Sequence, residues 1–138
     1  MDRIIVDTGF LVAYARSADT LHPHADRFMK SQRGALVTVS AVIVETCFFL
    51  SAHSKRQLLE WARGGSLGVV DVPLASYSDL STTIGRYASR DIDFADAALV
   101  WLAEETRISR ILTVDMRDFS LFRLKGGKRF DIVEWFPA

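Results

Sequence analysis

The run Ile4-Ile5-Val6, cut off by Asp7-Thr8-Gly9, constrains this chain more than any other stretch. Apolar, β-branched residues in succession, with no polar alternation, read as a strand buried on both faces. Such a strand needs helices packed above and below it. Where it stops, a carboxylate, a hydroxyl and a glycine follow, and in open α/β sheets ligands bind outside the carboxyl ends of strands. A second run, Ile111-Leu112-Thr113-Val114, stops the same way at Asp115. In a parallel sheet, both acids emerge on one edge.

The remaining elements alternate in a way that supports this. Phe10 to Ala15 reads as a helix entered directly from the first strand, and Asp19 to His24 as a polar turn. Pro23 suits the first position of a helix that carries Ala25, Phe28 and Met29 inward and ends at Gly34. Ala35 to Val39 is a second strand, and Ser40 is placed to cap a helix from Ala41 to about Ser51. Apolar residues go nearly all round that helix, which predicts burial of most of its faces. Ser54 is expected to cap a helix with Leu58, Leu59 and Trp61 inside, stopped by Gly64-Gly65. Leu67 to Val72 is a third strand, and Pro73 precedes a helix from Ala75 to about Ser89. Asp93 is a candidate N-cap for a helix from Phe94 to Thr106, before the strand Arg110 to Val114. Phe119 and Phe122 should anchor an irregular stretch, and a turn over Lys125-Gly126-Gly127-Lys128 leads to a last strand, Phe130 to Val133. Strands alternating with helices predict an α/β/α sandwich, three layers around a central, mostly parallel sheet.

At 138 residues the chain is long enough for a single domain, 1–138, that buries roughly two-thirds of its unfolded surface. Seventeen basic and seventeen acidic side chains cancel, so no bulk charge favours coating nucleic acid or an anionic membrane. The single cysteine, Cys47, excludes an internal disulfide and a cysteine-rich zinc site. No run approaches the roughly 18 apolar residues of a membrane span, and no signal-like segment opens the sequence. The expected setting is cytoplasmic.

Two further acids lie inside apolar helical patterns. Glu45 stands between Val44 and Thr46-Cys47-Phe48-Phe49-Leu50, and Asp96 between Ala95 and Ala97. Neither has a basic residue three or four positions away. A buried carboxylate without a partner loses several kcal/mol in desolvation, so both need a compensating charge. A divalent cation would supply it. Mg²⁺ and Mn²⁺ favour hard oxygen ligands, and such a site suits phosphodiester hydrolysis. Taken singly, each acid has a plain structural use: Asp7 as a helix N-cap, Asp115 as the start of a turn, Glu45 reaching solvent, Asp96 favouring a helix dipole. Taken together, Asp7, Glu45, Asp96 and Asp115 make a candidate catalytic and metal-binding set.

The chain resembles the PIN-domain ribonucleases, and within them the VapC-like toxins of bacterial and archaeal toxin–antitoxin pairs. The matching stretches are Val6-Asp7-Thr8-Gly9-Phe10-Leu11-Val12-Ala13, Ser40-Ala41-Val42-Ile43-Val44-Glu45-Thr46, Phe94-Ala95-Asp96-Ala97-Ala98 and Leu112-Thr113-Val114-Asp115-Met116-Arg117-Asp118-Phe119. The likeness implies a PIN-like fold and Mg²⁺- or Mn²⁺-dependent endonuclease activity on RNA. It implies an antitoxin partner, and it carries Asp7, Glu45, Asp96 and Asp115 over as the acidic cluster. Thr8 and Thr113 match hydroxyl positions beside the acids, Asp93 neighbours Asp96 and reads chiefly as an N-cap, and Asp118 is a candidate outer acid.

His22 and His24 lack the further ligands of a zinc site, which favours a structural role. Cys47 reads as a small core residue, and Trp61, Trp101 and Trp135 as packing rather than base-stacking platforms. Arg117, Lys125, Lys128 and Arg129 are expected near the site edge, where they could meet phosphates. Apolar surface left exposed around Phe48 and Leu59 would serve a homodimer or an antitoxin contact. An aspartyl-nucleophile phosphatase of the haloacid dehalogenase type wants a second Asp two positions after the first, where this chain has Gly9. The alternative from another class is a non-catalytic PIN-like module that binds RNA or protein.

Overall fold

A computed structural model describes residues 2–137. The strands are β1 (Arg3–Val6), β2 (Ala35–Val39), β3 (Leu67–Val70), β4 (Arg110–Leu112) and β5 (Asp131–Ile132). They form one five-stranded sheet in the order β3-β2-β1-β4-β5, with every neighbouring pair parallel. Central β1 registers Ile5 against Val37 on one side and Ile111 on the other. Ile4, Ile5 and Val6 are fully buried, as a strand covered on both faces requires.

Helices α1 (Thr8–Ala15) and α2 (His22–Ser31) lead from β1 to β2, and α3 (Ser40–Cys47) and α4 (Ala52–Arg63) from β2 to β3. From β3, α5 (Tyr77–Arg86) and α6 (Phe94–Thr106) carry the chain back across the sheet to β4, and α7 (Met116–Leu121) joins β4 to β5. Right-handed crossovers put the helices before β3 on one face and those after it on the other. The result is the expected three-layer α/β/α sandwich. On one face Phe10 meets Phe28 and Trp135 edge-on; on the other Phe119 meets Phe122 and Phe130. Each such buried side chain contributes about 1.5–3 kcal/mol of transfer free energy. Helix α6 is the most enclosed, with Ala97 to Ala103 buried without interruption.

Several boundaries differ from the sequence expectation. Helix α3 begins at Ser40 itself, with Val39 in the capping position, and it stops at Cys47 instead of near Ser51. Its faces are not mostly buried: Val44 and Phe48 are 58% and 78% exposed. Ser51, not Ser54, caps α4, accepting the Ser54 N–H over 3.2 Å, and Leu59 points outward. Strand β3 ends at Val70, and a 3-10 turn over Leu74–Ser76 delays α5 to Tyr77. Strand β4 ends at Leu112 and β5 is shorter than expected. The stretch around Phe119, expected to be irregular, is α7. Lys125, Lys128 and Arg129 do not approach the acids. Their loop precedes a parallel strand, and it lies beside Arg107 and Ser109 at the amino edge of the sheet. Arg117 is on α7, beside Asp115 and exposed.

Candidate active site

Successive connections leave β1 toward one face and β4 toward the other, so the crevice outside their carboxyl ends is the sheet's topological switch point. Asp7 follows β1 there. Its N–H still bonds the Leu112 carbonyl over 2.9 Å, tying the residue to β4. Both of its carboxylate oxygens are engaged: Thr8 N–H donates to Oδ1 (2.8 Å) and the Thr113 hydroxyl to Oδ2 (2.7 Å). Asp7 is therefore the N-cap of α1, as its plain structural reading had it, and it is also only 8% exposed. Burial lifts its pKa from 3.8 to about 6; the bonds from Thr113 and Thr8 oppose the rise, while Asp115 and Asp93 add to it.

Thr113 is wholly buried and serves both strand ends. Besides donating to Asp7, its hydroxyl accepts the Asp115 N–H over 3.0 Å. Its carbonyl accepts the indole N–H of Trp135 at 3.1 Å, so this tryptophan packs and also fixes the strand exit. Asp115 caps α7 by accepting the Asp118 N–H over 3.0 Å. Burial raises its carboxyl above the usual range, Asp118 adds to the rise, and Arg90 opposes it. Arg90 holds Asp118 in a forked contact, 2.9 Å from Nε and 2.6 Å from an amino nitrogen, with both side chains half-buried. Asp118 is thus paired with Arg90 and placed beside Asp115.

Glu45 leans in from α3. The Thr8 hydroxyl donates to its Oε1 over 2.7 Å, so Thr8 touches two of the acids, one through its N–H and one through its hydroxyl. Burial first, then Asp93 and Asp7, raise the Glu45 carboxyl. Asp93 and Asp96 form a reciprocal capping box at the start of α6: Asp96 N–H donates to Asp93 Oδ1 (2.9 Å) and Asp93 N–H to Asp96 Oδ2 (3.2 Å). Burial drives the Asp96 pKa up to about 8, helped by the charges of Asp93 and Asp7. Asp7 thus lies within electrostatic reach of Glu45, Asp93, Asp96 and Asp115 at one sheet edge.

Among the described residues, no group of three or more His, Cys, Asp or Glu side chains is placed to hold a metal ion by itself. Mg²⁺ needs no such closed set, because it keeps several waters and takes only one or two protein carboxylates directly. The donors here are oxygen throughout, which suits Mg²⁺ or Mn²⁺. Carboxylates whose pKa values are raised by burial and by one another are short of positive charge, and a divalent cation supplies it.

Arg90 and the doubled role of Asp93 were missed in the sequence. Nothing local marks Arg90, whose partner lies 28 positions away. The Asp93–Asp96 spacing was the available signal for the capping box. His22 donates from Nδ1 to the Ala13 carbonyl over 2.8 Å and has a structural role. Trp61 packs on Tyr14, and Trp101 and Trp135 are buried.

The PIN-domain family model matches residues 4–123. Ribonuclease VapC26 of Mycobacterium tuberculosis is 30% identical over 134 residues, 94% of this chain and 99% of that protein. The fold matches that of Mycobacterium tuberculosis VapC20, a sarcin–ricin-loop-cleaving toxin, with a TM-score of 0.72 and 21% identity over 78% of this chain and 86% of the other. A toxin–antitoxin complex from Klebsiella pneumoniae matches with a TM-score of 0.62 and 12% identity over 98% and 99% of the two chains. The two structural likenesses concern the fold.

Proposed function

The chain belongs to the PIN-domain family, and from that premise we propose that it is a Mg²⁺- or Mn²⁺-dependent endoribonuclease, the toxin of a toxin–antitoxin pair. The observation that carries the assignment is the gathering of Asp7, Glu45, Asp96 and Asp115 at the switch point, each with its carboxyl raised by burial. The similarity to a ribonuclease along almost the whole chain supports the choice of RNA.

In this reading Asp7, Asp96 and Asp115 hold the ion, with Glu45 beside it. When bound, the ion neutralises the carboxylates and the charge that develops on the phosphate. The chain's own contribution is positioning. Thr8 N–H and the Thr113 hydroxyl fix both oxygens of Asp7, so it needs no reorganisation as charge develops. The Thr8 hydroxyl orients Glu45, whose carboxylate is the group in this reading to accept a water's proton. Arg90 pairs with Asp118 and so offsets the negative charge that Asp118 brings beside Asp115.

A cognate antitoxin belongs to the same proposal. The exposed side chains of Val44, Phe48, Phe49 and Leu59 offer apolar surface for it or for a second copy of the chain. Among the described residues no helix is long and apolar enough to cross a membrane, and we place the activity in the cytoplasm. The test is cleavage of end-labelled RNA by purified protein with Mn²⁺ and with chelator, alongside Asp7→Asn and Asp96→Asn. Cleavage that requires metal and is lost in both variants is expected. Retention by both variants would refute the assignment.

A further inference from the structure

Beside the acids, on the β2–β3 side of the same sheet edge, is a cavity of about 310 Å³ lined by Ser40, Ala41, Asp71, Val72, Tyr77 and Phe94. Its position follows from the topology. Ser40 follows β2, Asp71 follows β3, and Phe94 is the first residue of α6, between Asp93 and Asp96. Tyr77 and Phe94 meet edge-to-face with ring centroids 5.6 Å apart, yet they are 46% and 42% exposed. In an edge-to-face pair, one ring keeps both faces free of its partner. Held against each other and left half-exposed at the site edge, the two rings offer aromatic surface on which a nucleobase can stack.

We propose that this cavity is a base-binding subsite that takes one unpaired nucleobase of the RNA next to the scissile phosphate, and that it favours guanine. The proposal rests on the nuclease reading above. The volume lies at the low end for ligand clefts and admits one ring system, not a base pair. Tyr77 and Phe94 supply an aromatic platform, and Ala41 and Val72 an apolar side. Asp71 supplies the hydrogen-bond choice. Its ionised carboxylate only accepts, and guanine presents two adjacent donors, N1–H and the 2-amino group, that match its two oxygens. Adenine and cytosine offer a single amino group beside a ring acceptor. Uracil offers one N–H between two carbonyls, which a carboxylate repels. A matched bidentate contact discriminates by roughly fivefold to somewhat over a hundredfold. Recognition by one splayed-out base is the ordinary route to sequence preference in RNA.

The test uses four RNA oligonucleotides identical but for G, A, C or U at one position flanking the cleaved bond, with Mn²⁺. Wild-type protein should cleave the guanine substrate about tenfold better in kcat/KM. Asp71→Asn should erase that preference, lowering cleavage of the guanine substrate and raising that of the uracil substrate, whose carbonyls the amide no longer repels. Phe94→Ala should raise KM about tenfold for all four with kcat preserved, and Phe94→Leu, which keeps the packing but not the aromatic face, should do the same. Cleavage whose base preference and KM are indifferent to these changes would overturn the subsite and leave the nuclease reading standing. If no RNA is cleaved, the nuclease reading has failed. Titration of the protein with guanosine and uridine 5′-monophosphates, followed by NMR at Tyr77 and Phe94, then decides the cavity separately. Tighter guanosine binding that Asp71→Asn abolishes supports it, and equal or absent binding overturns it.

Discussion

Thr113 donates its hydroxyl to Asp7 Oδ2 over 2.7 Å, although 106 positions separate the two residues in the chain. The hydroxyl oxygen of Thr113 in turn accepts the Asp115 N–H. One buried side chain therefore sets the distance between two of the acids. Thr113→Val keeps the shape and loses both bonds, leaving a buried carboxylate short of a donor. A loss of about 2 kcal/mol in stability is expected, with a fall in kcat of at least tenfold. Thr113→Ser should restore both in thermal unfolding and RNA cleavage, and failure of the serine to do so would show that the methyl packing, not the hydroxyl, matters.

Asp7 sets activity against stability. A rise in its pKa from 3.8 to about 6 corresponds to about 3 kcal/mol spent keeping it ionised in the folded protein at neutral pH. Asp7→Asn removes that charge and retains an oxygen for the Thr8 N–H. The variant should be inactive and, in chelator at pH 8, melt a few degrees higher than wild type. A lower melting temperature would mean that the carboxylate is stabilising as it stands.

Stability should depend on pH in a direction opposite to that of most acids. Asp7 and Asp96 bind protons more tightly in the folded chain than in the unfolded one, with pKa values of about 6 and about 8. Between the ordinary carboxylate range and these values the folded state holds the extra protons, so stability falls as pH rises. Without metal, the melting temperature should decline from pH 5 to pH 8. Saturating Mn²⁺ should flatten or reverse that decline, since the ion favours the ionised forms. Parallel slopes with and without Mn²⁺ would argue against an ion held by these residues.

Gly9 is fixed by contact and not by backbone conformation. A Cβ placed there would overlap the side chain of Val114, the residue just before Asp115. Gly9→Ala should therefore displace Val114 and with it Asp115, lowering RNA cleavage at least tenfold with a smaller effect on stability. Val114→Ala, at a position 41% exposed, makes room and should rescue much of the activity in the double variant. Additive losses would show that Gly9 acts otherwise.

The sheet and its acid-bearing edge were legible in the sequence because their signals are local. A β-branched run ending in Asp needs no partner to be recognised, and Asp7, Asp115 and the Asp93–Asp96 pair all sit at element boundaries. What was not legible depends on distant partners. Arg90 is unremarkable until Asp118 is placed beside it, and the Thr113 bonds cross most of the chain. Helix α3 was expected to be buried because an apolar pattern does not distinguish cover by the chain itself from cover by another molecule; Val44 and Phe48 are left bare. Serines 51 and 54 stand three apart and either could begin α4. The basic loop around Lys125 precedes a parallel strand, so it lies at the amino edge, away from the acids at the carboxyl edge.

Three of the clustered carboxylates, Asp7, Asp93 and Asp115, also begin helices α1, α6 and α7. An asparagine can start a helix about as well as an aspartate. A single-nucleotide change in the gene, from an aspartate to an asparagine codon, can thus silence the chemistry while the architecture and outer surface persist. A cell that carries both forms makes a disarmed copy that competes with the armed one for every surface-binding partner. Loss of activity in such a lineage leaves a decoy in place, not a vacancy.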